Sequence, residues 1–248
     1  MILSRLSTAI RTQNWFAVVL EFVIVIAGVV IGFTITGWSH EHAAAARAEQ
    51  ATIDLLEEME VNVWLLRGAN AETARLNQNR ELAARATADA ALRRDPEIQL
   101  SAAEGVMSLA VSPPVPVSRA VYDELVATGT LRLIGNIPAR RAASRFFSEV
   151  DYARDQLSQL QNQQVFDALG RHGRLFWSDE AADGLGSEVD LEGLAADPEA
   201  VTELMIARTN HLYFQRVRDT LLDSAEAACG ALADAAGRRC APLVAEAQ

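Results

Sequence analysis

The residues that could bind a metal most readily are His40, Glu41 and His42, because histidine and glutamate are common metal ligands. Residues two apart on a helix point to different faces, whereas paired metal ligands on one helix are four residues apart. The spacing therefore favours a solvated pair over a metal site. His172 and His211 are isolated, which favours surface or hydrogen-bonded core positions. We predict no bound metal or cofactor.

The other residue types narrow the chemistry further. All 22 basic residues are arginine, so a lysine Schiff base and a phosphate-loop lysine are both excluded. The sequence has no glycine-rich phosphate loop, dinucleotide fingerprint, nucleophile elbow or paired-cysteine metal motif. Arg208, Arg216 and Arg218 could line an anion site, but the acidic majority favours solvent-facing salt bridges. We predict no catalytic residue and a protein that is not an enzyme.

A net charge of -11 also argues against a nucleic-acid partner, because an acidic surface repels phosphate backbones.

The two cysteines, Cys229 and Cys240, are candidates for a disulfide. On one straight helix their Cα atoms would be about 16 Å apart, too far for a disulfide. A helix that ends at Gly237 would let the chain fold back and bring them together. Two unpaired thiols remain the alternative.

Residues Trp15–Trp38 form an apolar stretch with a single charge, Glu21, and are long enough to cross a bilayer as a helix. A cleaved secretory signal, with cleavage near Ala43–Ala46, is the alternative, although the apolar stretch is long for one. Basic residues precede the stretch and acidic residues follow it, which places the N-terminus in the cytoplasm. We therefore predict a cytoplasmic head at 1–14, a transmembrane helix at 15–38 and a helical extracytoplasmic domain at 39–248.

One face of this helix carries Glu21, Gly28, Gly32 and Thr36. The four-residue spacing of the two glycines allows two membrane helices to approach closely. This face favours association with a protein partner or with a second copy of the chain. The alternative is that Glu21 simply reaches the inner lipid headgroups and that the glycines are ordinary membrane residues.

The remaining chain indicates three long helices. The first follows Trp38 without a proline until Pro96, and its packing is expected to be thin beyond Asn70. Apolar residues recur at helical spacing in all three long helices. In the first, these residues are Leu55, Leu56, Met59, Val63 and Leu66; in the second, Phe146, Val150, Ala153, Leu157 and Leu160; in the third, Val201, Leu204, Met205, Leu212, Val217, Leu221, Ala225, Ala228 and Leu232.

Shorter elements connect the long helices. We expect a helix at Gln99–Ala110, a proline-rich loop at Ser112–Ser118 and a helix at Arg119–Thr128. Gly129 suits the C-terminal cap of that helix, and Asn136 suits the N-cap of the next.

The second long helix should end near Gly170 to Trp177, and Ser178–Ala196 is expected to be a surface loop. Asp197 and Pro198 suit the start of the last helix. The predicted fold is all-α, with an N-terminal transmembrane helix followed by an antiparallel, coiled-coil-like bundle of three long helices plus short helices.

Two groups of residues resemble an uncharacterised family of bacterial single-pass membrane proteins. The first comprises Glu21, Val25, Gly28, Ile31, Gly32, Trp38 and Glu41; the second comprises Tyr122, Leu125, Gly129, Leu131, Ile134 and Asn136. The chain departs from the family at Thr36 and Gly37, where an asparagine usually precedes the tryptophan. The resemblance implies a bacterial inner-membrane protein with a periplasmic helical domain.

These features predict a membrane-anchored interaction module, either an accessory subunit or a scaffold of a membrane complex. The alternative is an extracytoplasmic ligand-sensing bundle that works through a partner, because helical bundles can hold small molecules between their helices.

Overall fold

A computed structural model describes residues 15–163, 166–177 and 185–242, with side chains at 19–31, 42–159, 166–172 and 189–242. The helices are α1 (Trp15–Ala88), α2 (Ala90–Arg94), α3 (Pro96–Ser108), α4 (Ala120–Ala127), α5 (Ile137–Gln163), α6 (Asp167–His172), α7 (Leu191–Ala196) and α8 (Pro198–Ala236). A 3-10 turn spans Thr130–Leu133, and β1 (Gly173–Trp177) pairs antiparallel with β2 (Leu185–Val189). The described chain is thus almost entirely helical, as predicted.

The chain divides into two compact units, Met1–Gln50 and Ala51–Gln248. In the first unit, every side chain from residue 19 to residue 31 is exposed. The described side chains contain no helical stretch that is long and apolar enough to span a membrane. Of the predicted span Trp15–Trp38, the side chains at 15–18 and 32–38 lie outside the described set.

In the second unit, α1, α5 and α8 are the three long helices of the predicted bundle. Side-chain contacts join α1 to α8 at Arg67–Glu226, Asn70–Asp219, Asn77–Gln215 and Glu81–Arg208. The residue numbers rise along α1 as they fall along α8, so these two helices are antiparallel.

The larger hydrophobic core lies among α1, α5 and α8. It buries the whole predicted stripe of α1 and the following residues of the other two helices: Phe146, Phe147, Val150, Ala153, Leu221, Ala225, Ala228 and Leu232. Leu212 departs from its predicted stripe and is 40% exposed. Leu160 lies outside the residues with described side chains.

A second core corrects the expectation of thin packing beyond Asn70. It joins the end of α1 to α3, α6, α7 and α8 through Ala83, Ala84, Ala86, Ala102, Val106, Leu169, Leu191, Leu194 and Leu204. Alanine makes this possible because its small side chain lets helices approach closely. The alanine-rich sequence beyond Asn70 therefore packs closely, although its apolar side chains are small.

Gly105 shows how close that approach is, because a Cβ atom there would overlap the backbone carbonyl of Asn79. We expect Gly105→Ala to lower the free energy of unfolding by about 2 kcal/mol through overpacking. Gly230→Ala is the matched control, since its Cβ would meet nothing within 4 Å. This change should stabilise α8 by about 0.5–1 kcal/mol. Chemical denaturation measures both; equal effects of the two substitutions would contradict the close packing.

Capping residues define the helix ends, and two of the predicted helix boundaries are wrong. Gly129 and Gly237 adopt left-handed conformations, and the Asn136 side chain accepts from the Ala139 amide at 2.9 Å. The helix predicted to reach Pro96 ends at Ala88, because Asp89 caps the short α2. Asp95 caps α3 at Pro96, three residues before the predicted start.

Two predictions for the segment before α8 are also wrong in part. The second long helix ends at Gln163, ahead of the predicted Gly170 to Trp177, and α6 and β1 follow it. The predicted loop Ser178–Ala196 contains β2 and α7, and its residues 178–184 lie outside the described chain. Asp190 caps α7 by accepting from the Gly193 amide at 2.8 Å, a local signal within an acidic stretch.

Candidate functional site

The proline-rich loop between α3 and α4 is held by buried polar side chains from the long helices. Pro113, Pro114 and Pro116 have no N–H group, so the loop has more carbonyl acceptors than backbone donors. A buried carbonyl that lacks a hydrogen-bond donor costs free energy, so side chains from elsewhere in the fold are needed as donors. Five residues do so or anchor the end of the loop, and we call them the loop clamp: Glu58, Asn62, Arg80, His211 and Arg218.

Arg80 holds the start of the loop. Its side chain is 1% exposed. It donates to the Ser108 carbonyl at 2.5 Å, the Ser108 hydroxyl at 3.0 Å, the Val111 carbonyl at 2.9 Å and the Asn77 amide oxygen at 2.8 Å. All four acceptors are uncharged, and burial lowers the pKa of Arg80 to about 10. The guanidinium therefore remains charged at neutral pH.

Arg218 of α8 holds the middle of the loop by donating to the carbonyls of Pro113 and Pro114. It is 2% exposed, and burial lowers its pKa. The expectation of a solvent-facing salt bridge is wrong for Arg218, because the loop covers it. Arg208 does make such a bridge, with a 2.5 Å contact to Glu81.

His211 lies between these two arginines and is 4% exposed. Its Nε2 atom is 2.9 Å from the Leu109 carbonyl, so this nitrogen carries the proton and donates it. Burial and the positive charges of Arg80 and Arg218 lower the pKa of His211 to about 4. The imidazole is therefore neutral at pH 7, and of the two positions expected for His211, surface or hydrogen-bonded core, the structure has the core position.

This shift makes stability depend on pH. An unfolded histidine titrates near 6.5, so the unfolded chain binds this proton more readily than the folded chain does. The stability that depends on neutral His211 is fully present above pH 6.5 and is lost as the pH falls through the folded pKa, by about 3 kcal/mol between pH 7 and pH 4. We expect the wild type to lose about that much more than His211→Gln between pH 7 and pH 4, measured by urea unfolding. Parallel losses in the two proteins would contradict the assignment.

Glu58 and Asn62 of α1 hold the end of the loop. Glu58, only 6% exposed, accepts from the Val121 and Tyr122 amides at 3.0 and 2.9 Å and from the Ser118 hydroxyl at 3.0 Å. Its carboxylate thereby caps α4, which has no cap from its own N-cap residue. Asn62 exchanges two hydrogen bonds with the Ser118 backbone, at 2.7 and 2.8 Å.

The loop clamp fixes backbone atoms of the loop through hydrogen bonds with side chains of two helices, α1 and α8. This arrangement can position a loop and the helix that follows it. Among the residues that the structure describes, no group of three or more His, Cys, Asp or Glu side chains is placed to hold a metal ion. His42 is exposed on α1, and the side chains of His40 and Glu41 lie outside the described set. His172 lies 3.1 Å from the Asp197 carboxylate, which caps α8.

The predicted helix-association face is described only in part. Glu21 and Gly28 are exposed on α1, and a Cβ atom at Gly28 would have nothing within 4 Å. Gly32 and Thr36 belong to α1, but their side chains lie outside the described set. Within the first unit, the glycine position is therefore open to a neighbour.

Cys229 and Cys240 form a disulfide, with their Cα atoms 5.6 Å apart. The chain turns back at Gly237, whose φ of 64° is left-handed. The residue after the second cysteine, Ala241, donates its amide to the Glu60 carboxylate of α1 at 2.8 Å. The disulfide thus ties the end of the described chain to the bundle.

The fold and these sites define a helical-bundle protein with a clamped proline-rich loop and a disulfide-tied C-terminal segment. A scan of protein-family models and searches of curated proteins and of solved structures give no match. The resemblance to the family of bacterial single-pass membrane proteins therefore stays a prediction.

Proposed function

We propose that this protein is a membrane-anchored interaction module, an accessory subunit or scaffold of a membrane complex. The observation that carries the proposal is the exposed apolar run of the first unit. Each of its ten large apolar side chains is between 46% and 65% exposed: Val19, Leu20, Phe22, Val23, Ile24, Val25, Ile26, Val29, Val30 and Ile31. Such a surface is unfavourable in water and marks a membrane or protein contact.

A bilayer suits this run because apolar side chains point outward all around the helix. The backbone hydrogen bonds of the helix are satisfied internally, as lipid requires. Basic residues precede Trp15–Trp38 and acidic residues follow it, which supports a cytoplasmic N-terminus and a periplasmic second unit. The disulfide supports the same orientation, since disulfides persist in oxidising compartments such as the periplasm.

An interaction role also agrees with the polar chemistry of the second unit. The buried polar side chains of the loop clamp contact the loop backbone and neighbouring side chains. This arrangement builds a rigid, shaped surface. A rigid helical surface on a membrane-anchored protein is suited to holding a partner in place.

The proposal is tested by purifying the full-length protein from its own membranes in mild detergent and identifying companions by mass spectrometry. We expect a stoichiometric companion protein. A protein that elutes alone as a monomer after native crosslinking would contradict the proposal. Recovery of the full-length chain from the soluble fraction would contradict the membrane anchor separately.

Replacing both Gly28 and Gly32 with leucine tests the association face. Bulky side chains there would keep a partner helix from approaching, so we expect the crosslinked complex to fall at least about fivefold. The control is Ile26→Leu with Val30→Leu, which enlarges no glycine and lies on the opposite face of the helix. Unchanged crosslinking in the glycine variant would remove this face from the interface.

A ligand-sensing bundle is the second candidate, favoured by a cleft of about 860 Å³ beside α2 and α3. A cleft of this size accommodates a small molecule. It is lined by Arg93, Arg94, Pro96, Gln99, Leu100, Ala103, Val189, Asp190, Leu191 and Glu192. A small molecule that raises the melting temperature of the full-length protein by binding in this cleft would favour sensing.

A further inference from the structure

A cleft of about 400 Å³ lies between the end of α4 and the first turns of α5. It is lined by Val126, Gly129, Leu131, Arg132, Arg140, Arg141 and Ser144. Three of these residues are arginines and none is acidic, in a chain whose net charge is -11. The cleft therefore gathers positive charge on an otherwise acidic protein.

Hydrogen bonds hold the Arg140 side chain in place at the cleft. Arg140 Nη1 donates to the Arg132 carbonyl at 3.0 Å and to the Ile134 carbonyl at 3.2 Å. A guanidinium has five N–H donors, so most of those on Arg140 remain for a ligand. The Arg132 guanidinium lies over Gly129, with its Cζ atom 3.8 Å from where a Cβ of residue 129 would be.

Arg132 and Arg141 differ from their neighbours in ion pairing. Arg119 pairs with Asp123 and Asp151, and Arg145 pairs with Glu149. No ion pair joins Arg132, Arg140 or Arg141 to any residue in the described part of the chain. Their charges are therefore available to an external anion.

Exposed apolar side chains accompany these arginines. Val126 lines the cleft and is 51% exposed. Leu131 is the second apolar residue of the lining. Guanidinium groups next to exposed apolar side chains match a ligand that carries an anion on an apolar body.

We propose that this cleft binds the phosphate headgroup of an anionic phospholipid, with the exposed apolar residues against its glycerol and acyl region. Guanidinium groups bind phosphate through paired, charge-assisted hydrogen bonds. Size favours a lipid over a protein segment. A cleft of about 400 Å³ offers far less surface than the roughly 800 Å² per partner of a stable protein interface.

The test uses the full-length protein in a non-ionic amphipol, titrated with dihexanoyl phosphatidylglycerol as a soluble lipid. We expect it to bind at least about ten times more tightly than dihexanoyl phosphatidylcholine, and to slow hydrogen exchange of residues 126–141. The variant R132Q/R141Q should lose at least about tenfold in affinity, since it removes two of the three guanidinium groups that would bind the headgroup phosphate. The control R85Q/R216Q removes two exposed charges elsewhere and should bind like the wild type.

Several outcomes would overturn the proposal. Equal affinity for the two lipids, or unchanged affinity in R132Q/R141Q, would show that the cleft does not bind the negatively charged headgroup. Inorganic phosphate that binds as tightly as the lipid would assign the cleft to a free anion. An acidic peptide that protects residues 126–141 where phosphatidylglycerol does not would assign the cleft to a protein partner.

Discussion

Replacing Arg80 with methionine is expected to lower the free energy of unfolding by about 3–5 kcal/mol. Methionine fills similar space but donates no hydrogen bond. The carbonyl and the hydroxyl of Ser108 would then lose the donor that Arg80 supplies, and each such buried group costs about 1–3 kcal/mol. Relief from burying an uncompensated charge offsets part of this loss and keeps the estimate below the upper limit of the sum.

Urea unfolding of the full-length protein in detergent, followed by circular dichroism, measures this change. Arg85→Met is the matched control, because Arg85 lies on the same helix and is exposed. We expect the control to change stability by less than about 0.5 kcal/mol. If Arg80→Met unfolds within 1 kcal/mol of the wild type, the loop does not depend on this guanidinium.

Replacing Glu58 with alanine is expected to lower the free energy of unfolding by about 3–4 kcal/mol. The substitution removes the acceptor for two backbone amides and one hydroxyl. It also removes the negative charge at the N-terminus of α4, where the helix dipole favours an anion. The loss should fall on α4, so hydrogen exchange at residues 120–127 should accelerate more than exchange in the centre of α5.

Two further variants test whether the loss comes from the buried carboxylate of Glu58. Glu58→Gln keeps one acceptor oxygen and the side-chain volume, and we expect it to lose about half as much as alanine does. Glu57→Ala is the exposed control, since Glu57 makes only a 3.9 Å contact with Arg238 at the surface. Equal losses in Glu57→Ala and Glu58→Ala would show that the buried carboxylate does not cap α4.

Local chemistry determined the helices and their ends. The three long helices follow from apolar residues at three- and four-residue steps, and their stripes supply most of the larger core. Glycine at 129 and 237 and asparagine at 136 act on backbone groups within a few residues, so their effects could be predicted from the chain alone. The position of Gly237 also indicated how the two cysteines could meet.

The partners of the buried polar residues were decided by tertiary structure. Arg80 and Arg218 look like solvent-facing helix residues in sequence, because nothing near them along the chain distinguishes them from exposed arginines. Asn62 gave one signal, since it lies within the apolar stripe of α1 at helical spacing from Met59 and Leu66. That spacing predicts burial, but it does not name the backbone of Ser118 as the partner.

The physical reason is sequence separation. A cap or an apolar stripe is complete within one or two helical turns, whereas Arg218 meets Pro113 across 105 residues and Arg80 meets Ser108 across 28. The prolines alone predict that residues 112–118 form a loop with few backbone hydrogen-bond donors. Only the packing of α1 against α8 determined which distant side chains would supply those donors, and therefore which arginines would be buried.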